Sequence, residues 1–199
     1  MSPVNDSASG GYLAPVGTVT EDAGLEDQIQ AAIVGITGLA GTKVRPAWQP
    51  DPPQKPAGNV DWCAYRIASS EPDWSGALIH HPEGDAGEGT DELQRHATIE
   101  VLCSFYGPNA RGYAARLSDG MQVPQNMEAL GKQGISFLEA GRIWAAPEFI
   151  NNQWVRRQDI TVRLRRVTSR TYPIRNVLSA EGEIVTDTGN ENSWNTENE

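Results

Sequence analysis

Residues 98–106 read Thr-Ile-Glu-Val-Leu-Cys-Ser-Phe-Tyr, and they run through Gly-Pro-Asn at residues 107–109 into Ala-Arg-Gly-Tyr-Ala-Ala-Arg-Leu-Ser-Asp-Gly-Met at residues 110–121. The first part alternates and places four apolar side chains on one face of a predicted, largely buried strand: Ile99, Val101, Cys103 and Phe105. The second part repeats apolar residues at helical spacing in one stripe: Ala110, Tyr113, Ala114, Leu117 and Met121. Pro108 suits the first turn of this helix, because its missing N–H has no intrahelical partner there. The stretch predicts a strand that leads into a helix. The apolar stripe of this helix must be buried against a sheet.

Further elements are predicted on both sides of that stretch. An acidic start at residues 21–27 opens a first helix, which is predicted to end within the run of Gly35, Gly38 and Gly41. The apolar stripe of this helix has five members: Leu25, Ile29, Ala32, Ile33 and Ile36. The remaining patterns predict a strand at residues 60–67, a short helix at 125–132, a strand over 135–145 broken by Gly141, a turn at Asn151 and Asn152, and a long strand at 154–167.

These elements follow one another in the order helix, strand, strand, helix and hairpin. We expect a flexible N-terminal arm at residues 1–20, a single domain at residues 21–175 and an acidic C-terminal tail at residues 176–199. Within the domain, residues 69–95 are rich in acids and glycine. They are predicted to form an acidic loop or insertion, or a long hairpin that crosses toward a partner.

The composition narrows the class of function. The formal net charge of −10 argues against a protein that reads nucleic-acid sequence, because phosphate binding needs a net basic face. Cys63 and Cys103 lie in apolar alternating segments, which favours buried reduced thiols over a disulfide or a metal site. No apolar run resembles a signal peptide or approaches the ~20 residues of a membrane span. We therefore expect a soluble protein that folds in the cytoplasm.

Charge is distributed unevenly near the C-terminus. Residues 156–175 contain seven arginines and one acid, Asp159, whereas residues 177–199 contain six acids and no lysine or arginine. One interpretation is a solvated strand face followed by a disordered acidic tail. The other is an interface, in which acids of one subunit meet the arginines of the next and fix the register of the contact.

No catalytic constellation is apparent in the sequence. His80 and His81, with Glu83 and Asp85 nearby, supply the ligand types of a metal site and leave open a metal-dependent hydrolase. Their spacing matches no helical metalloprotease motif, and the phosphate-loop, dinucleotide and nucleophile-elbow motifs are not present. We therefore assign no catalytic, cofactor-binding or metal-binding residue, and we expect no cofactor.

Six tryptophans lie mostly near predicted loops or strand ends, where amphipathic rings often serve protein interfaces. The candidate subunit-interface residues combine two of them with four arginines of the predicted long strand: Trp48, Trp154, Arg156, Arg157, Arg163 and Arg165. Reversing one of these charges, as in Arg163→Glu, is predicted to leave the subunit folded but unable to close a ring.

Several of these segments together resemble neck or tail-terminator proteins of contractile-tailed bacteriophages and prophages. The resemblance covers roughly residues 24–180, and its stretches are residues 33–39 (Ile-Val-Gly-Ile-Thr-Gly-Leu), 44–50 (Val-Arg-Pro-Ala-Trp-Gln-Pro), 60–63 (Val-Asp-Trp-Cys), 102–109 (Leu-Cys-Ser-Phe-Tyr-Gly-Pro-Asn), 120–126 (Gly-Met-Gln-Val-Pro-Gln-Asn), 151–157 (Asn-Asn-Gln-Trp-Val-Arg-Arg) and 170–173 (Arg-Thr-Tyr-Pro).

The resemblance implies a non-enzymatic structural protein of the virion. It also implies an α+β fold, with two or three helices packed on a mixed, mostly antiparallel sheet, and the order of elements found above agrees with this fold. Such a protein is expected to form a ring, usually of six subunits, that ends the tail tube on its head-proximal side and joins it to the neck. The implied partners are further copies of the chain, the tail tube, the sheath and the neck or connector proteins, while DNA passes through the lumen without sequence-specific binding. A head-tail adaptor or collar subunit remains the alternative.

Overall fold

The computed structural model describes residues 9–49, 51, 53–82, 87–150, 152–177, 179–185 and 191–197. The chain divides into two compact units. One, the core unit, comprises Val19–Ser75 and Arg95–Thr168. The other, the strand unit, comprises Met1–Thr18, Gly76–Gln94 and Ser169–Glu199.

Three α-helices and eleven strands follow one another along the described chain. The helices are α1 (Asp22–Thr37), α2 (Ala110–Gly120) and α3 (Pro124–Gly131), and a short 3₁₀ helix spans Gly41–Lys43. The strands are β1 (Val44–Pro46), β2 (Trp62–Pro72), β3 (Ala77–Pro82), β4 (Glu88–Tyr106), β5 (Ile135–Ala140), β6 (Trp144–Ala145), β7 (Glu148–Ile150), β8 (Gln153–Val155), β9 (Arg157–Arg175), β10 (Ser179–Val185) and β11 (Glu191–Glu197). None of these helices combines the length and apolar character needed to cross a membrane.

The main sheet has the strand order β1-β2-β4-β9-β5, with β3 also paired to β4 and β6 also paired to β9. The β1–β2 pair is parallel, and the β2–β4, β3–β4, β5–β9 and β6–β9 pairs are antiparallel. Two antiparallel hairpins, β7–β8 and β10–β11, form separate two-stranded sheets. This architecture confirms the predicted α+β fold with a mixed, mostly antiparallel sheet.

The predicted strand and helix at residues 98–121 provide much of the hydrophobic core. Phe105 and Cys103 on β4, and Leu117 on α2, are fully buried in it. Helix α1 adds a buried stripe at a spacing of four residues: Leu25, Ile29 and Ile33. Cys63 and Cys103 are both free and buried, as the sequence predicts.

The turn between β4 and α2 differs from the prediction, because α2 begins at Ala110 and Pro108 precedes it. Gly107 has a φ of 104°, which favours glycine, and a Cβ atom there would lie 2.5 Å from Oδ1 of Asp61. The same carboxylate accepts hydrogen bonds from the backbone N and from Nδ2 of Asn109, both at 2.9 Å. A side chain from another part of the chain therefore sets where this helix starts.

Other predicted boundaries also shift. The long strand is β9, which begins at Arg157 and reaches Arg175, so Trp154 belongs to the separate hairpin β7–β8 instead. Gly38 alone ends α1, with a left-handed φ of 77°, while Gly35 lies inside the helix. The predicted turn residue Asn152 has a φ of 58°, and Asn151 lies outside the described residues.

The strand unit has no apolar side chain that is buried, among those whose side chains the structure describes. Strands β3 and β4 pair antiparallel between Ala77–Pro82 and Gly89–Gln94, which agrees with the hairpin alternative offered for the acidic segment. The described part of the acidic tail forms the β10–β11 hairpin rather than an irregular chain. In the N-terminal segment, Val16 forms an isolated antiparallel bridge with Thr171. The strand unit is therefore built from backbone ladders without a core of its own.

Candidate protein interface

The arginines of β9, which the sequence proposes for an interface, have partners within the core unit. Three carboxylates each contact one of them: Glu139 with Arg163, Asp73 with Arg165 and Glu21 with Arg166. Arg163 also approaches Glu100, with 3.6 Å between its Nε and the Oε1 atom of that residue. Arg156 is exposed and has no ion-pair partner in the described chain. Most of the positive charge on this strand face is therefore already balanced inside one subunit.

Arg157 is held most firmly, by a two-point contact with Asp159. Its Nε and Nη2 atoms lie 2.7 and 2.8 Å from the two oxygens of that carboxylate, and Nη2 also donates to Oγ of Ser104 at 3.1 Å. The Asp159 side chain is only 5% exposed. Hydrogen bonding to Asp159 raises the pKa of Arg157, against the opposing effect of burial. The predicted interface residue Arg157 therefore stabilises the core unit itself.

Glu148, at the start of β7, joins the same polar network. Its carboxylate accepts from Nζ of Lys55 at 2.9 Å and from the hydroxyl of Tyr106 at 3.1 Å, and it lies 3.5 Å from Nη1 of Arg157. Burial alone would raise the pKa of Glu148, but Lys55, Tyr106 and Arg157 together lower it. Burial raises the pKa of Tyr106 to about 12. Glu148 thus attaches the β7–β8 hairpin to the end of β4, a role that nothing in its local sequence indicates.

The β7–β8 hairpin presents two large aromatic side chains to solvent. Phe149 and Trp154 are Cα partners across the hairpin, their ring centroids are 5.2 Å apart, and they are 57% and 72% exposed. Each ring limits the freedom of the other, so this aromatic pair is ordered before any partner binds. Trp48, the other tryptophan proposed for an interface, is 77% exposed. The sequence therefore identifies Trp154 as an interface candidate but does not identify Phe149 beside it.

A depression of about 660 Å³ opens on the core unit between the 3₁₀ helix, β1 and β8. Three cationic side chains line it, Lys43, Arg45 and Lys55, and the described lining includes no carboxylate. Trp62 and Tyr106 form one wall, and their rings stack with centroids 4.3 Å apart. We call this depression the basic pocket. The sequence contains a weak signal for it, because Lys43 and Arg45 are two residues apart beside a short strand.

The histidines proposed as metal ligands lie on β3 of the strand unit. Nδ1 of His80 is 2.9 Å from Oδ1 of Asp91, and Nε2 of His81 is 3.4 Å from Oε2 of Glu92, both across the β3–β4 ladder. Hydrogen bonds from Ser169 and His81 lower the pKa of Glu92. Glu83 and Asp85 lie outside the described residues. Among the residues that are described, no group of three or more His, Cys, Asp or Glu side chains is placed to hold a metal ion.

Comparison with known proteins found one family. The family described as phage neck terminator protein matches residues 23–189 of the chain, which include the whole core unit after its first few residues. A comparison with curated individual proteins found no match.

Proposed function

Since the chain belongs to the phage neck terminator protein family, we propose that its copies close a ring of six subunits at the head-proximal end of the tail tube. Membership assigns the chain a structural role in the tail or neck of a phage virion. The observation that carries the finer proposal is the span of the match, residues 23–189, which leaves only the two ends of the chain outside it. The ring ends the tail and joins it to the neck.

A closed ring needs two unlike surfaces on each subunit, because one surface of each copy contacts the other surface of the next. The aromatic pair supports one of these surfaces. Trp154 and Phe149 together expose a large apolar area on a hairpin that Glu148 attaches to the core unit. Buried aromatic anchors contribute much of the binding energy in protein interfaces. We assign this pair to the contact between neighbouring subunits.

The proposed neighbours outside the ring are the tail tube, the sheath of a contractile tail, and the neck or connector proteins. DNA passes through the ring, and a net charge of −10 favours sliding over binding because phosphates are repelled. Arg156 would oppose this sliding if it faced the channel, since it is exposed and has no ion-pair partner in the described chain.

Mass measurement followed by imaging tests the ring. The mass of the chain is measured alone and after mixing with purified tail tubes, and the tube ends are then imaged by electron microscopy. The proposal predicts a sixfold ring on one end of each tube. A chain that ignores tubes but binds portal complexes would instead identify a head-tail adaptor or collar subunit.

A substitution then tests the aromatic pair. Trp154→Ala is expected to weaken ring closure by about tenfold or more, as loss of a central aromatic anchor does in other interfaces. Trp74→Ala is the matched control, because Trp74 is fully exposed and lies outside this pair. Equal ring closure in wild type and Trp154→Ala would remove the aromatic pair from the interface without affecting the family assignment.

A further inference from the structure

The basic pocket contains positive charge that has no carboxylate partner in the described chain. Lys43 has no ion-pair partner in the described part of the chain, and Arg45 donates only to backbone carbonyls, those of Thr42 at 2.9 Å and Gln54 at 3.5 Å. The arginines of β9 differ, since Arg157 and Arg163 already contact carboxylates. The basic pocket is thus a depression lined by cations in a chain whose net charge is −10.

Strand β10 carries negative charge that has no cation partner in the described chain. Glu181 and Glu183 are both exposed, and neither has an ion-pair partner among the residues described. They lie two residues apart on a strand, so both point to the same face, about 7 Å from each other. Gly182 between them faces Trp194 of β11 on the other side of the hairpin. β10 thus presents a pair of carboxylates on one face.

We propose that the basic pocket of one subunit binds the Glu181 and Glu183 face of β10 from the next copy of the chain. The inference rests on the proposed ring, and it identifies the two unlike surfaces that meet there in addition to the aromatic pair. It also replaces the arginine face of β9 as the partner of the acidic tail, because those arginines are balanced within their own subunit.

Complementary charge supports β10 of the next copy as the ligand of the basic pocket. Lys43 and Arg45 both line the pocket, and Glu181 and Glu183 share one face of β10, so each surface offers two charges of opposite sign to those of the other. A depression of about 660 Å³ accommodates a short extended segment rather than a whole domain. Residues 177–199 contain no lysine or arginine that would oppose the contact. Opposed charges of this kind fix the register between subunits and speed their encounter.

A protein carboxylate fits the pocket better than a DNA phosphate does. DNA binding depends on many phosphate contacts spread over a basic face, whereas this pocket holds three cations, one of which, Lys55, is already paired with Glu148. The rest of the chain is acidic and repels a polyanion. Short acidic segments are therefore the class of ligand that the pocket favours.

Two charge-reversal variants of the full chain provide the test. The pocket variant is Lys43→Glu with Arg45→Glu, and the strand variant is Glu181→Lys with Glu183→Lys. Each is expected to weaken ring formation by about tenfold or more, because attractions become repulsions. An equimolar mixture of the two is expected to restore the ring. In a ring of alternating variants, every reversed pocket meets a reversed strand and every native pocket meets a native strand.

The mixture also separates contacts between copies from a contact within one chain. A contact within one chain stays repulsive in both variants, so failure of the mixture to form rings would overturn the proposal. Restoration further shows that both variants are folded, and Lys43→Glu alone, which keeps the hydrogen bonds of Arg45, provides a milder variant. Arg111→Glu with Arg142→Glu is the matched control. It changes the net charge equally at two exposed sites outside the pocket, and it is expected to leave the ring intact.

Other results would contradict the inference in distinguishable ways. Rings that close equally well in the pocket variant would overturn it and leave the proposed function standing. A wild-type chain that forms no ring, alone or on tail tubes, would overturn both. Normal rings together with double-stranded DNA binding that the pocket variant loses would identify phosphates as the ligand and overturn the assignment to β10.

Discussion

The core unit contains every apolar side chain that is buried in the described chain, whereas the strand unit contains none. Both units are rich in strands, so strand content alone does not separate them. In the strand unit, Leu78, Ile79 and Trp194 are exposed, and ladder hydrogen bonds hold the hairpins. Hairpins without a buried face are marginally stable in water. We expect the core unit to provide most of the stability of the separate chain, and we propose that the strand unit gains stability when copies associate.

Phe105→Ala tests the core unit, and it has the largest expected effect on the free energy of unfolding. Phe105 is fully buried, and removing its ring is expected to lower the free energy of unfolding by about 3–5 kcal/mol, since it leaves a cavity. Urea denaturation followed by circular dichroism measures the loss. A loss below about 1 kcal/mol would show that the core unit is not the source of stability.

Asp159→Asn tests how much the ion pair between Arg157 and Asp159 contributes to the stability of the core unit. The change leaves Arg157 without its two-point partner, and we expect a loss of about 3 kcal/mol in the same denaturation experiment. A double variant with Arg157→Gln is the control, because removing both partners costs less than leaving the part-buried charge of Arg157 with only its longer contact to Glu148 and its hydrogen bond to Ser104. If the double variant is the less stable of the two, the pair does not act as proposed.

Glu148→Gln is expected to cost less, about 1–2 kcal/mol at pH 7, through weaker hydrogen bonds from Lys55 and Tyr106. The folded state lowers the pKa of Glu148 below its usual value of 4.5. Its contribution is therefore fully present above that value and is lost as the pH falls through the lower folded pKa. Thermal unfolding of both proteins across this range should show the difference between them shrinking toward low pH. A difference that stays constant with pH would exclude the carboxylate charge as its cause.

Ile79→Ala tests the strand unit, and it has the smallest expected effect on the free energy of unfolding of the separate subunit. Ile79 is exposed on β3, so the free energy of unfolding should change by less than about 0.5 kcal/mol. Comparison with Phe105→Ala in one set of denaturation curves makes the contrast direct. A loss as large as that of a core residue would mean that the strand unit is buried in the separate subunit.

Local patterns predict the core well and the interface surfaces poorly. The alternation of residues 98–106 and the helical stripe of residues 110–121 depend only on neighbouring residues. Both elements are present, although β4 already begins at Glu88 and α2 begins after Pro108, at Ala110. The β7–β8 hairpin was missed, and Trp154 was assigned to the long strand, because three-residue strands give too little periodicity. Glu148 and Lys55 come together from distant segments, so no local spacing reveals their contact, and the spacing of Lys43 and Arg45 is only a weak signal for the basic pocket. The arginine face was predicted correctly as a charged face, but its internal partners depend on the tertiary fold.

Amide hydrogen exchange on the separate chain, and on the chain bound at tail-tube ends, tests the central claim most directly. The comparison predicts that β2 and the core-unit part of β4 exchange slowly in both states, whereas β3 and β10 exchange quickly in the separate chain and slowly once assembled. Equally slow exchange of β3 and β10 in the separate chain would contradict the claim that association stabilises the strand unit.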